Sequence, residues 1–169
     1  MKKLVLIVLV AILGALNANA QEVDSLSSEQ MTIVDSLSNE LAELQHKYNY
    51  LDLINQIEHA TLEAQMFCNE MLINVNSTKI TIYHQGFDLD LYLSMENDYK
   101  LCERSFNLLK IKADNAKSLA TMRKLFSDFS DTEIDCIDSA CGVLDAALSK
   151  AEKSLEYHRG ILDIYKKLG

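Results

Sequence analysis

Residues 34–51 read VDSLSNELAELQHKYNYL, and the spacing of the apolar residues in this stretch decides the fold. They recur alternately three and four residues apart, at Val34, Leu37, Leu41, Leu44, Tyr48 and Leu51. After a slip near Asn55, the same spacing continues through Ile54, Ile57, Thr61, Ala64, Cys68, Met71 and Val75. Heptad spacing of this kind is typical of helices that pack along a seam, so the stretch predicts one very long helix.

The rest of the chain predicts two further helices of the same type. Heptad spacing runs from Met95 to Phe129 and again from Ile134 to Tyr165, and Ser130 with Glu133 forms a capping-box sequence between them. The chain has no proline, and Gly86 is the natural end of the first helix. We therefore predict an all-α fold of three long antiparallel helices that form a coiled-coil-like bundle. The predicted helices span residues 28–84, 88–129 and 131–168 of a single domain, residues 28–169.

An alternative exists for residues 79–93. Ile80 and Ile82, and then Phe87, Leu89, Leu91 and Leu93, alternate with other residues as they would in β-strands. This pattern fits a β-hairpin that turns at Gln85 and Gly86. An isolated two-stranded hairpin is only marginally stable, which favours the helical interpretation.

The N-terminus reads as a cleaved signal peptide, residues 1–20. Lys2 and Lys3 precede an apolar run from Leu4 to Leu16, and Ala18-Asn19-Ala20 has the small residues of a cleavage site. The apolar run is too short to span a bilayer comfortably. We predict export to the periplasm or the exterior of a Gram-negative bacterium, with a flexible lead at residues 21–27 and no transmembrane segment after cleavage.

The charge of the chain argues against two classes of partner. The formal net charge is −9, and it would become −11 without the first twenty residues, which hold two of the sixteen basic residues and none of the 25 acidic ones. Nucleic acid and anionic lipid surfaces repel a chain this acidic. We therefore expect neither as a partner.

The four cysteines suggest up to two disulfide bonds. Cys68 and Cys102 lie at equal distances from residue 85, so a helical hairpin turning there would place them at the same level. In an oxidising compartment they could form a disulfide, although two buried free thiols are an open alternative. Cys136 and Cys141 form a weaker candidate pair, because residues five apart on a regular helix point away from each other.

The predicted helix lengths leave the start of the first helix without a partner. The second helix is too short to reach residues 28–41, which would overhang the bundle. This segment carries an apolar stripe of Met31, Val34, Leu37 and Leu41. Exposed apolar stripes commonly bind a second helix, so we predict an interaction seam here.

The sequence offers no catalytic, cofactor or metal site. Glu43 and His46 have the spacing used in di-iron bundles, but such sites need a second copy and further carboxylates, and heptad phase places both residues on the solvent face. His158 lies on the third seam and is expected to be a core histidine. Tyr83, Phe87, Tyr92, Tyr99 and Tyr165 are expected near the Gly86 end, where an aromatic cluster could hold a small ligand. Core packing is the commoner explanation, because most of these residues lie at seam positions.

We therefore expect an exported, non-enzymatic protein without cofactors that binds a protein partner, or a second copy of itself, through the N-terminal seam. The alternatives are a periplasmic bundle that binds a small ligand and a helical subunit of a secretion or conjugation apparatus. The last of these rests on analogy of architecture alone.

Overall fold

The computed structural model describes residues 28–169, and this part of the chain contains three α-helices and no β-strand. Helix α1 spans Ser28–Gln85, α2 spans Leu89–Phe126 and α3 spans Asp131–Lys166. The all-α prediction is confirmed, and the alternative β-hairpin at residues 79–93 is wrong. The predicted signal peptide and flexible lead lie outside the described residues.

The turn between α1 and α2 is built from three residues. Gly86 adopts a φ of 67°, a left-handed conformation that favours glycine, and its N–H donates to the carbonyl oxygen of Ile82 at 3.2 Å. Asp88 caps α2, because its side chain accepts a hydrogen bond from the N–H of Leu91 at 2.8 Å. The prediction that the first helix ends near Gly86 is confirmed.

The link between α2 and α3 differs in part from the prediction. The capping box is present: Ser130 Oγ accepts from the N–H of Glu133, and the Ser130 N–H donates to Glu133 Oε2 at 2.9 Å. However, α2 ends at Phe126, three residues earlier than predicted. Phe129 is buried in the link, where its ring meets the rings of His46 and Tyr50 edge-on. Phe129 therefore keeps the apolar spacing of the heptad because it is buried, although it is no longer part of the helix.

The chain divides by internal contacts into two units with the boundary between residues 45 and 46, so the described part of the first unit is residues 28–45 and the second is residues 46–169. The boundary falls within α1. The second unit holds the bundle core, whose buried residues recur at the predicted seam positions on all three helices, as in Ile57, Ala64 and Met71 of α1. They form two adjoining apolar clusters, one around Phe67 and Phe106 and the other around Leu53 and Ile137.

The helices of the second unit run up, down and up. Ion pairs between α1 and α2 join Glu63 to Lys112 at 2.9 Å and Asp52 to Arg123 at 3.1 Å. Between α2 and α3, Lys117 and Asp145 lie 3.0 Å apart. Contacts between the parallel helices α1 and α3 include Cys68 with Ser154, His46 with Glu133 and Lys79 with Tyr157.

Helices α2 and α3 are the pair whose backbones come closest, with several Cα atoms within 8 Å of each other. Small side chains occupy this interface, because Ala113, Ala116 and Ala120 on α2 and Ala147 and Ala151 on α3 are buried. A methyl group in place of a larger side chain lets two helices approach closely. The small side chains therefore account for the close approach of α2 and α3.

Candidate functional site

The first unit presents the predicted interaction seam. All side chains described between residues 31 and 45 are exposed. The exposed fractions are 57% for Met31, 52% for Val34, 52% for Leu37 and 39% for Leu41, and Leu44 is 64% exposed. When a second helix covers large apolar side chains on one face of a helix, their exposed surface is removed from water, which stabilises the pair.

The predicted bond between Cys68 and Cys102 is not formed. All four cysteines are free: Cys68 Sγ lies 3.2 Å from Ser154 Oγ on α3, while Cys102 Sγ accepts from Asn74 Nδ2 at 3.9 Å. The prediction that the two residues lie opposite each other is wrong, because the turn is centred on Phe87 and not on residue 85. That offset moves the residue facing Cys102 by four positions, about one helical turn.

The weaker candidate pair, Cys136 and Cys141, is not bonded either. Helix α3 is regular from its capping box onward, so the distortion that this bond would require is missing. Cys136 is exposed. Cys141 is half-buried, and burial raises the pKa of its thiol above the ordinary value.

His46 does not lie on the solvent face, so that part of the prediction is wrong. Its Nε2 is 3.1 Å from Glu133 Oε1, and its ring packs against Phe129. Glu133 is also the capping residue of α3, and hydrogen bonds from Ser130 hold the pKa of its carboxyl below the ordinary value, with a smaller contribution from His46. This contact fastens α1 to the start of α3.

The predicted aromatic cluster forms only in part. Phe87 and Tyr92 contact Tyr165, with ring centroids 5.3 and 6.3 Å away. Tyr83 is exposed and packs on His84, while Tyr99 lies against His158. The rings of Phe87, Tyr92 and Tyr165 therefore pack together at this end of the bundle, as expected for core packing.

The groove that could hold a ligand lies beside this end, between α1 and α2. Its volume is about 460 Å³. Helix α1 contributes Asn74, Ser77, Thr78 and Thr81, helix α2 contributes Leu91, Ser94, Met95, Asp98, Leu101 and Cys102, and α3 contributes His158. The sequence gives no direct signal for this groove, because its lining comes from three segments that meet only in the folded chain.

His158 forms part of the groove wall and is 2% exposed. Neither ring nitrogen has a hydrogen-bond partner, and the ring meets Tyr99 edge-on with centroids 5.6 Å apart. A buried polar group without a partner is unusual, since most such groups in proteins are hydrogen-bonded. The expected core position is confirmed, but the histidine is not satisfied there.

Acidification is expected to destabilise the fold through His158. Burial lowers the pKa of this imidazole below its ordinary value, and the opposing effect of Asp98 is smaller. The unfolded chain therefore binds the proton more readily, and stability falls as the pH drops from about 6.5 toward the depressed pKa. One such group changes the free energy of unfolding by at most about 1.4 kcal/mol per pH unit.

Urea unfolding at several pH values between 5 and 7.5 measures this effect. His158→Leu removes the titrating ring, so we expect it to flatten the profile across that range. The control is His59→Gln, because the side chain of His59 is 75% exposed. Equal pH dependence in the wild type and His158→Leu would contradict the assignment.

Comparisons with known protein families, with curated proteins and with solved structures found no match for this chain. In residues 28–169, no group of three or more histidine, cysteine, aspartate or glutamate residues could hold a metal ion. None of the helices in the same range combines the length and the apolar character that a membrane span requires.

Proposed function

We propose that this protein is exported and non-enzymatic, and that it functions by associating with other helices through the N-terminal seam of Met31, Val34, Leu37 and Leu41. The observation that carries the proposal is the exposure of these side chains on a stretch with heptad spacing. Apolar residues at that spacing are typical of helices that pair. Export rests on the signal-like residues 1–20.

A second copy of the chain is the occupant that we favour. Identical seams are complementary, because an apolar stripe on one helix matches the same stripe on the other. Heptad spacing lets the apolar side chains of two such seams interdigitate, as in a coiled coil.

Light scattering coupled to size exclusion, over a series of protein concentrations, tests this proposal. We expect the wild type to form dimers or larger assemblies. Val34→Asp with Leu37→Asp should shift the protein to monomers, because each carboxylate would have to be buried in an apolar interface. A wild type that stays monomeric at every concentration would contradict self-association.

The matched control is Leu101→Asp with Leu108→Asp. These residues of α2 are 58% and 63% exposed, so the control adds the same charge at equally accessible apolar positions. We expect it to assemble like the wild type. If both double variants lose association equally, the effect comes from charge and not from the seam.

A further inference from the structure

The groove between α1 and α2 has features of a binding site that is separate from the association seam. It is open to solvent on one side and is closed on the other by His158 from α3. The two ring nitrogens of His158 are buried without partners, although the ring forms part of the groove wall. A bound polar group could supply the missing hydrogen bond, and a site with convergent polar groups in a concave surface is typical of small-molecule recognition.

Several polar groups in the lining of the groove can accept hydrogen bonds. One N–H of the Asn74 amide donates to Cys102 Sγ, and the carbonyl oxygen of the same amide is an acceptor. The hydroxyl of Thr81 donates to the carbonyl oxygen of Ser77, so its lone pairs also remain for a donor. The unprotonated imidazole of His158 offers one acceptor nitrogen as well.

The charge of the groove is negative. Asp98 contributes a carboxylate, and no lysine or arginine is among the residues that line the groove in the described part of the chain. The basic groups nearby are engaged elsewhere, since Arg159 and Lys100 both pair with Glu96, and Lys79 bonds to Tyr157. The electrostatic field of Asp98 and Glu70 raises the pKa of the Cys102 thiol, adding to the larger effect of burial.

We infer that this groove binds a small organic primary amine, whose ammonium group pairs with Asp98 and donates hydrogen bonds to the surrounding oxygens and to His158. An ammonium group carries three donors and no acceptor, which complements a lining of this composition. Anions are disfavoured by the carboxylate. The volume of about 460 Å³ leaves ample room for an amine of a few carbon atoms.

Titrations followed by NMR test the inference with butylamine and putrescine as probes. Butanol and butyrate are the matched uncharged and anionic compounds, because they share the carbon chain of butylamine. We expect at least one amine to bind saturably, with shifts confined to the backbone of the groove residues and the ring of His158. Butanol and butyrate should not produce these shifts.

Two variants separate a defined site from general attraction to an acidic protein. Asp98→Asn should weaken amine binding by at least about tenfold, because the negative charge that pairs with the ammonium group is lost. Glu103→Gln removes the same charge from an exposed position of α2 outside the groove, and it should bind like the wild type. Asp98 is itself exposed, so we expect both variants to fold.

Three results would overturn the inference. The first is failure of both amines to bind saturably to the wild type. The second is equal weakening by Asp98→Asn and Glu103→Gln, which would show general charge attraction. The third is binding of butanol as tight as that of butylamine, which would show that the ammonium group is not recognised. None of these results depends on the oligomeric state, so the inference can fail while self-association holds.

Discussion

Replacing Tyr165 with alanine is expected to lower the free energy of unfolding by about 3–5 kcal/mol, as for other large buried aromatic residues. Tyr165 is fully buried in the last turns of α3. Its hydroxyl donates to the carbonyl oxygen of Gly86 at 2.8 Å and accepts from the N–H of Asp88 at 2.9 Å. The ring thus fills the end of the bundle while the hydroxyl holds both sides of the α1–α2 turn.

Tyr165→Phe separates these two contributions. It keeps the ring and leaves one backbone acceptor and one backbone donor without their partner, at an expected cost of about 1–3 kcal/mol. Urea unfolding of both variants measures the difference. Tyr83→Phe is the control, because Tyr83 is 85% exposed and should tolerate the change. A phenylalanine variant as stable as the wild type would show that the hydroxyl does not stabilise the turn.

Leu144→Ala is expected to cost about 2–5 kcal/mol of unfolding free energy. Leu144 is fully buried in the cluster that contains Ile57 and Ile137. The facing residues of α2 at this level are alanines, which are too short to fill the space that the leucine side chain would leave. The cavity should therefore persist, which places the cost toward the upper part of the range.

The neighbouring residue provides a matched control for this prediction. Val143 is 53% exposed on the same helix. Val143→Ala should leave stability within about 0.5 kcal/mol of the wild type, because it removes little buried surface and alanine has the higher helix propensity. Urea unfolding of the two variants, side by side, measures the contrast. Similar losses for both would mean that Leu144 is less completely packed than its burial indicates.

The parts of this fold that depend on local spacing could be predicted from the sequence. Heptad seams identify the three helices and most of the core, and the capping box at Ser130 and Glu133 involves residues only three apart. Helix ends were less certain. Phe129 keeps the seam spacing although α2 has already ended at Phe126, because burial alone is enough to make a position apolar.

Features that depend on exact register could not be predicted. The predicted centre of the α1–α2 turn was two residues too early. The residue that faces Cys102 is therefore four positions away from Cys68, which is about one turn of helix. The contact of His46 with Glu133 joins residues 87 positions apart, and no local pattern marks it. The amine groove was missed for the same reason, since Asn74, Asp98 and His158 share a surface only after three helices have packed.

The parallel arrangement of α1 and α3 has a consequence for the entropy of folding. Their contacts join residues that lie 78 to 87 positions apart, such as 86 for Cys68 and Ser154 and 78 for Lys79 and Tyr157. Closing a loop of this length costs conformational freedom once, and each later contact in the same register closes little additional chain. The first α1–α3 contact therefore accounts for most of the entropy lost in closing the loop, and the later contacts lose little more. This makes the docking of the two helices an all-or-none event along the bundle.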